Sequence, residues 1–291
     1  EGILKGALFA GANAAGKSNA LKGISFLINL INGEGEKFAY YRCIFTRNPI
    51  VTTEYEFRFN EKTLFYKIEC NVKNGSISEE VLIDSISVLK RNGSVGELRI
   101  GESIMIDDKL DANTLFLRTA SFNTGRFPQE STLRTLMEYL QNSYVIDGYH
   151  KNALFGDTIS RYAEENGVEN INKYLEDFHY DFVVEYGSES EGAGVKVSVG
   201  SDNKTVFLKR KSFPIPNAIF RESQGNQVFA DMLPDLICVI EKPGMFIIDE
   251  FGNSLHNRLA EKIIKFFMKK ASNSQMFVTS HDTNLFSNSI F

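Results

Sequence analysis

Between positions 11 and 18 the chain reads Gly11-Ala12-Asn13-Ala14-Ala15-Gly16-Lys17-Ser18, a complete match to G-x-x-x-x-G-K-S. No other feature restricts the fold so tightly. With glycine near 7% of residues, a chain of this length carries such a match by chance about once in a hundred. The flanks fit as well. Gly6-Ala7-Leu8-Phe9-Ala10 reads as a short buried strand, and Leu21, Ile24, Ile28 and Ile31 mark one apolar helix face that stops at Asn32-Gly33. Strand, glycine turn and helix thus stand in the order that aims backbone N–H groups and a positive helix end at phosphate oxygens. The glycines admit turns that a Cβ would block. Lys17 supplies an ammonium for the β- and γ-phosphates, and Ser18 a hydroxyl for Mg²⁺.

A loop of this kind needs a second carboxylate at the end of another buried strand. Met245-Phe246-Ile247-Ile248-Asp249-Glu250 is the one place where four apolar residues run into two carboxylates. Asp249 is the expected Mg²⁺ partner and Glu250 the residue able to polarise an attacking water. A further apolar run, Gln275 to Val278, leads through Thr279 and Ser280 to His281; a histidine at a parallel strand tip can point at the crevice in which ligands bind, there to hydrogen-bond a γ-phosphate or the lytic water, the alternative being a plain polar strand end. His256 is explained by packing at a helix start, and Lys269-Lys270 by favourable charge at a helix C-terminus. The densest basic run, Lys209-Arg210-Lys211, reads as a solvated strand end, with nucleic-acid contact the alternative.

From about residue 50 the period shortens to two. Tyr55, Phe57 and Phe59 alternate with charged residues, as do Tyr66, Ile68, Cys70 and Val72, and Asn60-Glu61-Lys62, Asn74-Gly75 and Asn92-Gly93 separate the runs. Residues 51–100 therefore read as an antiparallel meander with one wet face. Leu133, Leu136, Leu140 and Tyr144 form one helical stripe, and Ile171, Tyr174, Leu175 and Phe178 another, before strands return over 180–210. The expected fold is an α/β P-loop NTPase. Its nucleotide-binding core (1–50 and 211–291) is interrupted by the β meander (51–125) and a helical/β insert (126–210), within one domain spanning 1–291. Composition sets the outer limits. In 291 residues, 43% are hydrophobic and 24% charged, which excludes disorder and a disulfide scaffold; a net charge of −5 restricts any DNA contact to a local basic patch. Three scattered cysteines (Cys43, Cys70, Cys238) suit a reducing, cytoplasmic setting, and no apolar run approaches the ~20 residues of a membrane span.

With these residues in place the chain resembles an ABC-type ATPase head of the SMC-like and OLD-like (overcoming lysogenization defect) kind. Gly11 to Asn19 is similar to that group's G-x-N-x-x-G-K-S-N loop. Ile247-Ile248-Asp249-Glu250 with Asn253-Ser254-Leu255-His256 resembles its Walker B strand and D-loop, and Thr279-Ser280-His281-Asp282 its switch-histidine segment. Glu222-Ser223-Gln224-Gly225 resembles its S-x-G signature ahead of a helix striped by Phe229, Met232, Leu233, Leu236 and Ile237. The resemblance implies nucleotide contacts from Gly11, Asn13, Ala14, Ala15, Gly16, Lys17, Ser18 and Asn19, with Mg²⁺ held by Ser18 and Asp249. It further implies catalysis by Glu250 with Lys17 and His281, and ATP sandwiched in a homodimer by Ser223 and Gly225 of the second subunit. The gap of 206 residues between Lys17 and Ser223 is too short and too β-rich for coiled-coil arms.

The subgroup most similar is that of the abortive-infection ATPases of bacterial phage defence, which pair with or are fused to a toxin or nuclease effector. Asn226 stands where that subgroup often has threonine. Gln129 is the nearest residue, by order, to a Q-loop glutamine. Heads of this type run longer at both ends, so the chain reads as a fragment. The expected function is ATP hydrolysis that switches an effector or a DNA contact. Two rivals are an ATP-gated clamp on DNA ends and a scaffold that sequesters a toxin; a small-molecule P-loop kinase fits less well, lacking the late strand–histidine segment.

Overall fold

Apolar residues of period two and period 3.6 sort the described residues into helices, one parallel sheet of four strands and three antiparallel sheets of six, three and two strands. The computed structural model describes residues 3–12, 14–33, 38–43, 45–112, 114–122, 131–146, 157–200, 203–252, 255–281 and 285. Two compact units result. One comprises residues 1–21 and 144–291, the other 22–143, with the boundary inside the first helix.

The chain opens with β1 (Gly6–Phe9) and α1 (Lys17–Asn32). In the second unit, β2 (Ile50–Phe59), β3 (Lys62–Asn71), β4 (Ser76–Ile83), β5 (Ile86–Asn92), β6 (Val95–Ile100) and β7 (Ser103–Asp107) pair in sequence order as one antiparallel meander. The strands run on past residue 100 to Asp107, within the span 51–125 expected for the meander. Its turns fall where the asparagines and glycines stand, with φ of +45° at Asn60, +71° at Gly75 and +62° at Gly93. One face is dry: Leu64, Tyr66, Ile68 and Cys70 are buried, while Lys67 and Glu69, which alternate with them, form an ion pair on the other. Helices α2 (Phe116–Phe122) and α3 (Thr132–Gln141) follow. Ser131 caps α3 by accepting the Arg134 N–H at 3.1 Å, and Tyr139 of that helix meets the rings of Phe57 and Phe59 edge-on.

Back in the first unit, β8 (Tyr144–Ile146) is followed by α4 (Asp157–Asn166) and α5 (Glu169–Asp177). Then come β9 (Phe182–Gly187), β10 (Glu189–Gly192), β11 (Val195–Ser198), β12 (Thr205–Arg210) and β13 (Pro216–Ala218). The chain continues through α6 (Gln224–Glu241), β14 (Met245–Ile248), α7 (Asn257–Lys270) and β15 (Gln275–Thr279). The core sheet is wholly parallel, in the order β1-β15-β14-β8. Tyr144, placed by its spacing on a helical stripe, is instead the first residue of an edge strand. Every residue of β14 is buried, as a strand covered on both faces requires, and Phe246, Ile247 and Ile248 contribute about 1.5–3 kcal/mol each by leaving water.

The basic run at the end of β12 is not simply solvated. Lys209 donates to Glu185 Oε1 at 2.7 Å and to the Glu191 carbonyl at 2.6 Å, and Arg210 lies over the Phe182 ring. His256 is the N-cap of α7, its Nδ1 accepting the Arg258 N–H, and Lys270 at the other end pairs with Asp177 at 2.6 Å. Among the described residues no helix is long and apolar enough to cross a membrane.

One carboxylate pair ties α6 to α4. Asp231 Oδ1 accepts the Thr158 and Ile159 N–H groups at 2.8 and 3.2 Å, capping α4 from outside. Asp235 lies one turn further along α6. Burial, then the Asp231 charge, push its carboxyl up to about 7 against the pull of Arg161. Because this folded-state value lies above the ordinary one, the stability contributed by Asp235 is full in acid and is lost as pH rises through about 7. Asp235→Asn removes that dependence. Urea denaturation should show wild type losing roughly 2 kcal/mol more than the variant between pH 5 and pH 8.

Candidate active site

The site forms at the carboxyl ends of the parallel strands. The glycine loop leaves β1, and its backbone is bent in ways that few side chains permit. Gly16 has φ of +90°, and a Cβ on Gly11 would lie 3.3 Å from that of Ala15. Ala14 takes φ of +61° without being glycine, a conformation that costs about 1–3 kcal/mol and recurs at functional turns. Lys17 and Ser18 open α1, and the Lys17 ammonium donates to the Gly11 and Ala12 carbonyls at 2.9 Å each, closing over the mouth of the loop. Asn19 is exposed on the same first turn. Asn13 lies outside the described residues.

Across the sheet, Asp249 and Glu250 follow β14. The Asp249 N–H donates to the Ile146 carbonyl of β8 at 2.9 Å, which fixes the strand end. Ser18 Oγ donates to Asp249 Oδ1 at 3.1 Å, so two residues 231 positions apart in sequence meet directly. A hydroxyl and a carboxylate side by side are hard oxygen donors, the type that Mg²⁺ accepts, and the pair fits that ion. Glu250 is half-buried and takes φ of +55°, a second non-glycine residue in the left-handed region.

The last strand completes the arrangement. Phe9 at the end of β1 accepts the Ser280 N–H at 3.4 Å, and the Thr279 carbonyl accepts the Phe251 N–H at 2.8 Å. The Thr279 hydroxyl accepts the Glu250 N–H at 2.7 Å and donates to Asp249 Oδ1. His281 follows with its side chain exposed. Thr279 was not among the residues singled out from the sequence. Its signal was present, a hydroxyl ending a buried strand two places before His281, but the histidine drew the assignment.

Ser223 and Gly225 stand elsewhere in this unit. Ser223 is the N-cap of α6. Together with Gly225, Asn226, His256, Arg258 and Lys262 it lines a concavity of about 380 Å³ that contains neither the glycine loop nor the carboxylate pair. Glu222 is turned onto Asn217, Asn226 and the Ser223 N–H. Asn226 also accepts the Tyr180 hydroxyl at 3.1 Å. Gln129, Asn253, Ser254 and Asp282 lie outside the described residues.

A glycine loop, a hydroxyl–carboxylate pair and a parallel sheet that carries both at its carboxyl ends are the parts of a P-loop nucleotide-binding core, here in a chain that also carries an antiparallel meander. The fold is shared with SMC head domains. It superimposes on a crystal structure of an SMC head bound to the C-terminal winged-helix domain of ScpA with a TM-score of 0.57 and 11% identity, covering 97% of this chain and 83% of that one. The SMC head domain from Thermotoga maritima aligns with a TM-score of 0.51 and 12% identity, over 97% of this chain and 82% of the other. The sequence model of the family described as "AAA domain, putative AbiEii toxin, Type IV TA system" matches residues 145–287. A search of curated protein sequences found no match.

Proposed function

We propose that this protein binds and hydrolyses ATP, closes with a second copy of itself around the nucleotide, and uses that cycle to switch an effector protein in bacterial phage defence in the cytoplasm. The observation that carries the reading is the Ser18–Asp249 contact, which joins the loop to the buried-strand carboxylate. The abortive-infection-type match over residues 145–287 supports the effector and defence setting. One structural neighbour, an SMC head, carries a bound winged-helix domain, which favours a docked partner here too. A DNA contact gated by ATP is the second reading, favoured by the SMC likeness; DNA affinity that needs ATP and falls steeply with salt distinguishes it.

In this reading the amides of the loop from Gly11 to Gly16 and the first turn through Asn19 cradle the phosphates. Lys17 leaves its carbonyl partners for the β- and γ-phosphates. Ser18 and Asp249 hold Mg²⁺, which when bound neutralises charge developing on the phosphate oxygens. Glu250 orients the attacking water and takes its proton, the water oxygen bonds to the γ-phosphorus, and ADP leaves with the bond electrons. His281 senses the γ-phosphate. Ser223 and Gly225, set apart from the loop in one chain, serve the nucleotide of the other.

The test is nucleotide binding by calorimetry with magnesium present. Wild type should retain ATP, and Lys17→Ala should weaken it at least about tenfold with the thermal midpoint unchanged, since removing one charge-assisted contact costs about 1.5–3 kcal/mol. No binding by wild type at millimolar ATP would overturn the proposal.

A further inference from the structure

Thr279 ends β15 with its side chain buried, only 1% exposed. A hydroxyl has one proton to give and lone pairs to receive with, and this one uses both on neighbouring residues of a single turn. It donates to Asp249 Oδ1 and accepts the Glu250 N–H at 2.7 Å. The backbone of Thr279 holds the same turn from its other side through the Phe251 N–H. Glu250 sits at φ of +55°, where a non-glycine residue stays only if its surroundings over-determine it. The hydroxyl supplies that constraint. Valine has the same shape and supplies neither bond.

We propose that Thr279 is a positioning residue for hydrolysis. Its hydroxyl locks the Asp249–Glu250 turn, so that the carboxylate beside Ser18 and the carboxylate that polarises water are set by one group. The inference rests on the role given to Glu250 above. It follows that the two carboxylates are not independently placed: whatever moves the end of β15 moves both. His281, two residues further on, lies on the same segment.

Thr279→Val and Thr279→Ser test the idea. Two quantities are read: hydrogen exchange at the Glu250 amide by NMR without nucleotide, and kcat with KM for ATP. In Thr279→Val, protection of that amide should fall at least about tenfold, and kcat should fall at least about tenfold while KM stays within about twofold. Thr279→Ser, which keeps the hydroxyl, should restore both to within about threefold of wild type. Adding Thr279→Val to Glu250→Gln should bring little further loss, because both act through one carboxylate. Wild-type turnover in Thr279→Val overturns the proposal, as does a serine variant as impaired as the valine one, which would make the methyl group the cause. A slow valine variant whose Glu250 amide remains protected overturns it too. Failure of the Glu250 reading looks different: Glu250→Gln alone would then turn over normally.

Discussion

Arg91→Met will destabilise the meander unit by about 3–5 kcal/mol, the usual cost of removing one partner of a buried ion pair. The Arg91 and Glu79 side chains are 1% and 0% exposed, and their charged ends meet at 3.2 Å. Methionine fills a similar space but leaves Glu79 to the Tyr66 hydroxyl and the N–H groups of Phe116 and Leu117. The carbonyls of Gly93, Asp111 and Thr114 lose their donors at the same time, and these hold the 111–117 segment onto the sheet. Burial already pushes the Glu79 carboxyl above the carboxylate range, while the Phe116 amide, Tyr66 and Arg91 pull it down. With Arg91 gone the carboxyl rises further. Stability present while Glu79 is protonated is therefore lost as pH rises, and the variant should be weakest in alkaline buffer. Urea midpoints at pH 6 and pH 8.5 check the sign. Pairing Arg91→Met with Glu79→Gln should recover most of the loss, because a neutral replacement of both partners leaves no buried charge. A variant as stable as wild type at pH 8.5 would show that the pair does not anchor this segment.

What could be read from the sequence follows a physical line. The glycine loop and the apolar run into Asp249-Glu250 were legible because their chemistry fixes residue type at fixed spacing. Gly16 needs a backbone at φ of +90°, and a fully buried parallel strand needs four apolar residues together. The meander was legible through its period of two and its Asn-Gly turns. β8 was not, because three residues carry too little period to outweigh the helical stripe that leads into Tyr144. The Glu79–Arg91 pair was missed although parity marks it: Glu79 shares a face with Ile77 and Val81, and Arg91 with Leu89, all buried. Both charges sit on the dry face because each is the other's partner. Thr279 carried only the mark of a hydroxyl ending a buried strand, and its two bonds depend on a turn that only the folded strands create.

Glu250→Gln should lower turnover by about 10²–10⁴, the range for loss of a general base, and leave ATP affinity within about twofold. Glutamine keeps the length of the side chain and the backbone hold on Thr279 at 2.7 Å, so the turn beside Asp249 is undisturbed. It does not touch the Ser18–Asp249 contact at 3.1 Å, the pair assigned to the metal. What it removes is the carboxylate able to take a proton from water. Binding and chemistry therefore separate in a single variant, with KM nearly constant and kcat collapsed. The separation reaches the proposed assembly as well. If a second copy closes on bound ATP, a variant that binds but cannot clear it should accumulate as a dimer when ATP and magnesium are added. Light scattering would report the mass, and Ser223→Arg, which crowds the concavity at the start of α6, should prevent that dimer without weakening ATP binding. Turnover unchanged in Glu250→Gln would remove the residue from its role. A monomer that stays monomeric with ATP held would instead leave the loop and the carboxylates as a nucleotide site complete within one chain, because only the closure depends on Ser223 and Gly225.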